Sequence, residues 1–146
     1  VNAFSVCGEF HPLTVTDRLT ADPPAFGVAL AHVWPSPHEP VELAHAAAKA
    51  LGITEGPTYT QVRIGPDGPR LIELAARLGG GHDAELCAEA LGVDLNGLAL
   101  SAALGETIAP PRPRSRANCI RRGKTAVSIA STRRSPAVRP APRMAC

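Results

Sequence analysis

The composition of the chain changes abruptly after Ile108, and this change limits how much of the chain can form a packed domain. Residues 1–108 contain all 13 acidic residues and five of the 15 basic ones, whereas residues 109–146 contain ten basic residues and no acid. The second segment begins with the run PPRPRSR, whose closely spaced prolines prevent a helix or a central strand. We therefore expect a folded domain over 1–108 and a disordered basic tail over 109–146.

Other features of the sequence exclude several classes of protein. No uncharged apolar run reaches the roughly 18 residues that a membrane-spanning helix needs. The first residues also lack the basic segment and apolar core of a secretory signal. The four cysteines are scattered without a C-x-x-C pair, which argues against a zinc site and favours a reducing compartment. We expect a cytoplasmic protein, and the absence of an initiator Met indicates processing, trimming or a fragment.

Within 1–108 the residue patterns predict an α+β domain in which antiparallel β-hairpins pack with helices. The predicted elements, in chain order, are a hairpin over 1–17, an irregular stretch over 20–40, a helix over 41–51, a second hairpin over 58–75, and helices over 83–91 and 95–104. Cys7-Gly8 and the sequence GPDG at 65–68 supply the two turns, and Asp94 is positioned to cap the last helix. Pro12 belongs at a sheet edge or a bulge, and five prolines account for the irregular stretch.

The second hairpin and the residues after it carry the candidate chemistry. A turn at 65–68 places Gln61 close to Glu73 on the return strand, and Arg77 follows four residues later. Oxygen ligands on adjacent strands can hold a hard cation such as Mg²⁺, an arginine can neutralise phosphate oxygens, and a glycine loop lets backbone approach a ligand. A Glu and an Arg after a strand are also an ordinary surface pair, so these residues alone leave both interpretations open.

The wider sequence around this hairpin resembles a known family. The segment GPTYTQVR at 56–63, followed after a short turn by LIELAARLGGG at 71–81, resembles the metal-binding hairpin of ATP-grasp enzymes. Segments in the same order on either side are also similar to that domain; they are 13–18, VWPSP at 33–37, ALGI at 50–53 and ALGVDL at 90–95. The resemblance covers residues 1–108, which would form the C-terminal lobe of the ATP-grasp domain. It is greatest to the branch that contains L-amino-acid ligases and related carboxylate–amine ligases.

The resemblance implies ATP-dependent ligation of a small carboxylate to an amine through an acyl phosphate, with release of ADP and phosphate. By position, Glu73 is the expected ligand of Mg²⁺, with Mn²⁺ as an alternative, and Gln61 is the second expected ligand. Arg77 is the expected catalytic contact with the phosphoryl group. Together with Glu73 and Arg77, the loop glycines are expected to contact ATP or the carboxylate substrate; these glycines are Gly79, Gly80 and Gly81.

Two departures from the family affect this expectation. The family usually has a carboxylate where this sequence has Gln61, which predicts weaker metal binding and reduced or abolished catalysis. The first half of the ATP-grasp unit, which carries the lysines that clamp the nucleotide, has no counterpart here. We therefore expect the chain to be inactive alone and to need that N-terminal lobe as a partner.

The other candidate features have simpler explanations. Histidines 32, 38 and 45 fit no common metal-ligand spacing, and the adjacent Asp17 and Arg18 are interpreted as a local ion pair. The basic tail allows an alternative function, a noncatalytic module that binds nucleic-acid phosphates, but the tail lacks aromatic residues for base stacking, so we do not expect nucleic acid as a partner. A further alternative is a frame-shifted C-terminus, because ANCIR at 117–121 resembles the start of the family's final strand and similarity stops there.

Overall fold

The computed structural model of the protein describes residues 1–25, 27–114 and 126–129. In these ranges the chain forms seven strands and three helices. In chain order they are β1 (Asn2–Val6), β2 (Glu9–Thr14), β3 (Asp17–Thr20), β4 (Ala29–Trp34), α1 (Val41–Ala50), β5 (Gly56–Gly65), β6 (Gly68–Ala75), α2 (Asp83–Leu91), α3 (Leu95–Ala103) and β7 (Ala126–Ile129). The α+β class predicted from the sequence is confirmed.

Both predicted hairpins form and lie in one antiparallel sheet with the strand order β2-β1-β5-β6. The first turn is made by Cys7 and Gly8, which both have positive φ angles (+50° and +81°), as a two-residue hairpin turn of the primed type requires. Pro12 lies in β2, at the sheet edge, where its missing N–H removes no ladder bond. The residues that carry the predicted chemistry belong to the opposite edge hairpin, β5–β6.

A second antiparallel sheet has the strand order β3-β4-β7 and corrects two of the predictions. The stretch predicted to be irregular contains β4, because its prolines lie outside that strand: Pro23 and Pro24 precede it and Pro35 follows it. The four residues of β7 pair with β4 although they fall in the segment predicted to be disordered, so that prediction is wrong for them. The remainder of the predicted tail after Arg114, residues 115–125 and 130–146, lies outside the described residues.

The three predicted helices are confirmed to within a residue at each end. Asp94 caps α3 as expected, because its Oδ1 accepts a hydrogen bond of 2.9 Å from the backbone N–H of Gly97. Gly92 ends α2 in the left-handed conformation, with φ +71°. Within the described part of the chain no single helix is long and apolar enough to cross a membrane, and α2 and α3 meet those criteria only as a pair bent by 118°.

The hydrophobic core lies where the first sheet packs against α2 and α3. Its buried members are Phe4, Val6, Trp34, Ala84, Leu86, Cys87, Ala90, Leu91, Val93 and Leu95. Trp34 comes from β4, so the second sheet shares this core and is held beside the first. Burial, followed by the negative charge of Asp83, raises the pKa of the Cys87 thiol to about 12, which fits its role as a packed apolar group. The shared core fixes the two sheets on either side of the candidate site.

Candidate active site

The hairpin β5–β6 brings Gln61 and Glu73 together, as the turn predicted. The two residues are directly opposite each other in the ladder, and Gln61 Nε2 donates a hydrogen bond of 2.6 Å to Glu73 Oε1. The register shifts between Gln61 and Val62, where Ile72 of β6, next to Glu73, is the extra residue of a bulge. Such bulges re-aim side chains near functional sites. Both side chains are accessible to a ligand, since their hydrogen bond lies at the surface.

Arg18 from the second sheet completes a three-residue chain with this pair. Its Nη1 donates to Gln61 Oε1 at 2.6 Å, and its Nη2 donates to the backbone carbonyl of Gly27 at 2.9 Å. The local ion pair expected between Asp17 and Arg18 is replaced by these contacts, because Asp17 Oδ1 instead accepts a hydrogen bond from the Ser36 hydroxyl. We call Arg18, Gln61 and Glu73 the polar chain; it links the two sheets across the site.

Arg77 follows the end of β6, and its side chain contacts Leu78 and Tyr59. Its Nη1 donates to the carbonyl of Leu78 at 2.8 Å, and its Cζ lies 5.6 Å from the centre of the Tyr59 ring, within cation–π range. Tyr59 pairs with Ala75, two ladder positions from the pair of Gln61 and Glu73. Burial and the charge of Asp83 raise the pKa of Tyr59 above its usual value of 10. The Tyr59 ring therefore holds Arg77 beside this end of the hairpin.

Gly79, the first residue of the glycine loop over 79–81, lies where there is no room for a side chain. A Cβ on Gly79 would overlap the Asp83 carboxylate and come within 2.8 Å of the Tyr59 ring and 2.9 Å of Asn2 Oδ1. Gly80 has open space around it, and Gly81 has a left-handed φ of +69° that leads the chain into α2. The loop thus begins packed against the first sheet and then turns outward.

A buried pair, His32 and Asp83, packs against the glycine loop at Gly79. The sequence did not predict this pair as part of the site. His32 Nδ1 and Asp83 Oδ1 are 2.8 Å apart, and the two residues are 5% and 0% exposed. Asp83 is the first residue of α2, where the partial positive charge of the helix N-terminus stabilises a carboxylate. Its Oδ2 has no hydrogen-bond partner among the described residues and faces Gly79. The pair connects β4 with the start of α2.

A cavity of about 520 Å³ lies between the two sheets, beside the polar chain. Strands β3 and β5 line much of it, and its polar side chains are Thr16, Asp17, Arg18, Thr20, His32, Ser36, His38, Tyr59, Thr60, Gln61 and Arg63. Two arginines and one aspartate are among these residues, so the cavity wall carries net positive charge. A cavity with such a wall favours an anionic ligand.

Glu73 is suited to a divalent cation, and Gln61 is less suited in the observed arrangement. Magnesium is usually held by one or two carboxylates together with substrate phosphates. Glu73 uses Oε1 to accept from Gln61, and a carboxylate has a second oxygen for a cation. Within the described residues there is no group of three or more His, Cys, Asp or Glu side chains that could hold a metal ion. Glu73 would therefore need further ligands from a bound nucleotide or from water.

The site contains two residues that sequence reasoning did not assign to it, Arg18 and His32. Both come from the second sheet, 43 residues before Gln61 and 51 residues before Asp83 in the chain. The only signal in the sequence was the position of Arg18 at the end of a segment similar to the family. His32 had no such signal, because its partner became apparent only when β4 was placed beside α2.

Comparison with solved structures defines the class of this fold. No family model matches the sequence, and a search of characterised protein sequences finds no match. Solved structures do match, with TM-scores of 0.60 to 0.65, and they show that the chain has an ATP-grasp fold, matched over part of its length. The predicted resemblance is confirmed at the level of the fold.

Among these structures is an L-amino acid ligase from Bacillus licheniformis, with 27% sequence identity and a TM-score of 0.65. The match covers 79% of this chain and 30% of the ligase, so the chain spans about a third of that enzyme. A phosphoribosylglycinamide synthetase from Anaerococcus prevotii matches at 20% identity and TM-score 0.64, over 73% of this chain and 28% of that one. A phosphoribosylaminoimidazole carboxylase ATPase subunit from Aquifex aeolicus matches at 12% identity and TM-score 0.60, over 79% and 36%.

Proposed function

We propose that this chain forms one wall of the active site of an ATP-dependent carboxylate–amine ligase. The observation that carries the proposal is the pairing of Gln61 with Glu73 on β5–β6, beside a cationic cavity, with Arg77 held on Tyr59 just after β6 and before the glycine loop. The 27% identity to an L-amino acid ligase over most of this chain supports the same class of reaction. We infer an amino acid or a similar small carboxylate as one substrate, and a cytosolic setting from the cysteine pattern.

The proposed reaction has two steps. A substrate carboxylate oxygen attacks the γ-phosphorus of ATP, the bond to the β,γ-bridging oxygen breaks, and ADP leaves an acyl phosphate. An amine then attacks the acyl carbon, inorganic phosphate leaves, and the amine loses a proton as the amide forms. A divalent cation, when bound, supplies charge neutralisation at the phosphate oxygens.

Each element of the proposed site has a role in those steps. Glu73 would hold the cation through its exposed carboxylate. Arg77, whose hydrogen bond to the Leu78 carbonyl lies at the surface, would leave that carbonyl and the Tyr59 ring to contact the transferring phosphoryl group. The open space at Gly80 admits the substrate carboxylate close to the backbone. One wall cannot exclude water from an acyl phosphate, so we expect turnover only when the rest of an ATP-grasp domain is present.

Binding of ATP to the full chain tests the assignment of the site. In an NMR titration with ATP and Mg²⁺, we expect amide shifts at Glu73, Arg77 and the loop over 79–81. Glu73→Gln should weaken the effect of Mg²⁺, whereas Glu89→Gln, which changes an exposed carboxylate on α2, should leave it intact. Shifts confined to the basic residues after 108 would contradict the proposal and favour the nucleic-acid alternative.

Activity is tested by supplying the rest of an ATP-grasp ligase as a separate polypeptide. The chain alone should release no ADP above background, and mixing it with the remaining two-thirds of an L-amino acid ligase should give ADP release that depends on amino acids. Glu73→Gln should lower that rate about 100-fold, because a lost metal ligand removes transition-state stabilisation of several kcal/mol. ADP release by the chain alone that depends on Glu73 would contradict the expectation that the chain is inactive by itself.

A further inference from the structure

The amide of Gln61 has only one favourable orientation in the polar chain. Its oxygen faces the guanidinium of Arg18 at 2.6 Å, and its NH₂ group faces the carboxylate of Glu73 at 2.6 Å. The reversed amide would direct N–H bonds at the N–H bonds of Arg18 and an oxygen at the oxygen of Glu73. Both reversed contacts are repulsive, so Arg18 and Glu73 together determine where the Gln61 oxygen points.

This orientation removes the Gln61 oxygen from the place where it could share a cation with Glu73. A cation held by both residues needs two oxygens directed at one point, whereas here the second oxygen is directed at Arg18. The guanidinium is always charged, and its Nη2 is also anchored to the carbonyl of Gly27 at 2.9 Å. A fixed positive charge therefore lies one side chain away from Glu73 and repels a second cation.

We propose that the guanidinium of Arg18 is a built-in cation of this site, which takes the place of a second divalent ion and leaves Glu73 as the ligand of one. This inference rests on the proposed assignment of Glu73 to metal binding. The proposal accounts for the amide at position 61. A carboxylate at that position would form an ion pair with Arg18 and would not bind a metal ion. A phosphate group in the cavity would meet the remaining N–H donors of Arg18 directly.

Binding of Mn²⁺ alone to the full 146-residue chain tests the proposal, with free Mn²⁺ followed by electron paramagnetic resonance. We expect one weak site in the unchanged chain. Arg18→Met removes the repelling charge and releases the Gln61 oxygen as a ligand, so the Kd for Mn²⁺ should fall about tenfold. Adding Glu73→Gln to this variant should abolish the gain.

A matched control separates the position of Arg18 from its charge. Arg63 lines the same cavity, is exposed and also lies on β5, but its neighbour across the ladder is Arg70 and not the polar chain. Arg63→Met should therefore change the Kd less than about twofold, since Arg63 is exposed and water and salt screen its charge. Thermal melts of each variant verify that it is folded.

Three outcomes would overturn the proposal: an equal Kd in the Arg18→Met variant and the unchanged chain, no binding in either, or an equal gain from Arg63→Met. No nucleotide is present in this experiment, so a failure of the ligase assay does not affect it. Conversely, a negative Mn²⁺ result leaves the NMR and ADP-release tests of the proposed function intact.

Discussion

Two polar clusters of the molecule differ in burial and in how their contacts are exposed to water. The polar chain of Arg18, Gln61 and Glu73 lies at the surface, and its hydrogen bonds are exchangeable with water. The pair of His32 and Asp83 is buried, with a single short contact of 2.8 Å. Exposed polar contacts contribute little to stability, whereas breaking a buried pair is costly. The difference indicates that the first cluster is available for a ligand and the second holds the loop in place.

The strongest way to test this comparison is to remove the buried carboxylate. Asp83→Ala leaves His32 buried without its partner, and we expect the free energy of unfolding to fall by about 3 kcal/mol, measured by urea denaturation. Glu85→Ala is the matched control, because Glu85 lies in the same turn of α2 but is exposed. Asp83→Asn keeps an acceptor oxygen and should lose less than Asp83→Ala. Equal losses in the alanine variants of Asp83 and Glu85 would show that the buried pair does not support the loop.

A smaller effect is expected when the loop itself is altered beside the buried pair. Gly79→Ala places a methyl group against Asp83, Tyr59 and Asn2, and we expect a loss of about 2 kcal/mol from overpacking. Gly80→Ala offers a direct control, because the next residue has open space and no positive φ. Thermal unfolding followed by circular dichroism measures both variants. If the Gly79→Ala and Gly80→Ala variants have the same Tm, the close approach at Gly79 is not required for stability.

The smallest effect is expected at the exposed cluster. Gln61→Ala breaks the polar chain at its centre, and because both hydrogen bonds are at the surface the Tm should change by less than about 2 °C. The same variant should weaken Mn²⁺ binding no more than modestly, since Glu73 remains. A drop in Tm as large as that of Asp83→Ala would mean that the two clusters do not differ in the way proposed here.

Local sequence patterns were sufficient for the elements whose partners are close in the chain. The GPDG turn sets the pairing of β5 with β6, and from that pairing the contact between Gln61 and Glu73 follows. Glycine and Asp94 likewise marked the helix ends. The prolines before α1 predict an irregular stretch, but they lie in the connections around β4 and leave that strand intact. Proline excludes the residues it occupies from a ladder, but it does not exclude a strand between two prolines.

The sequence by itself determined the α+β class, the second hairpin, the position of Glu73 opposite Gln61, and the resemblance to ATP-grasp enzymes. Only the tertiary structure placed Arg18 on Gln61 and His32 on Asp83, and only it added β7 to β4. The physical reason is separation along the chain. Periodicity and turn chemistry describe residues within one element or one hairpin, whereas these contacts form only when the second sheet assembles and packs with the first sheet and α2. That packing places the guanidinium of Arg18 against the pair of Gln61 and Glu73, and so adds a positive charge to the site.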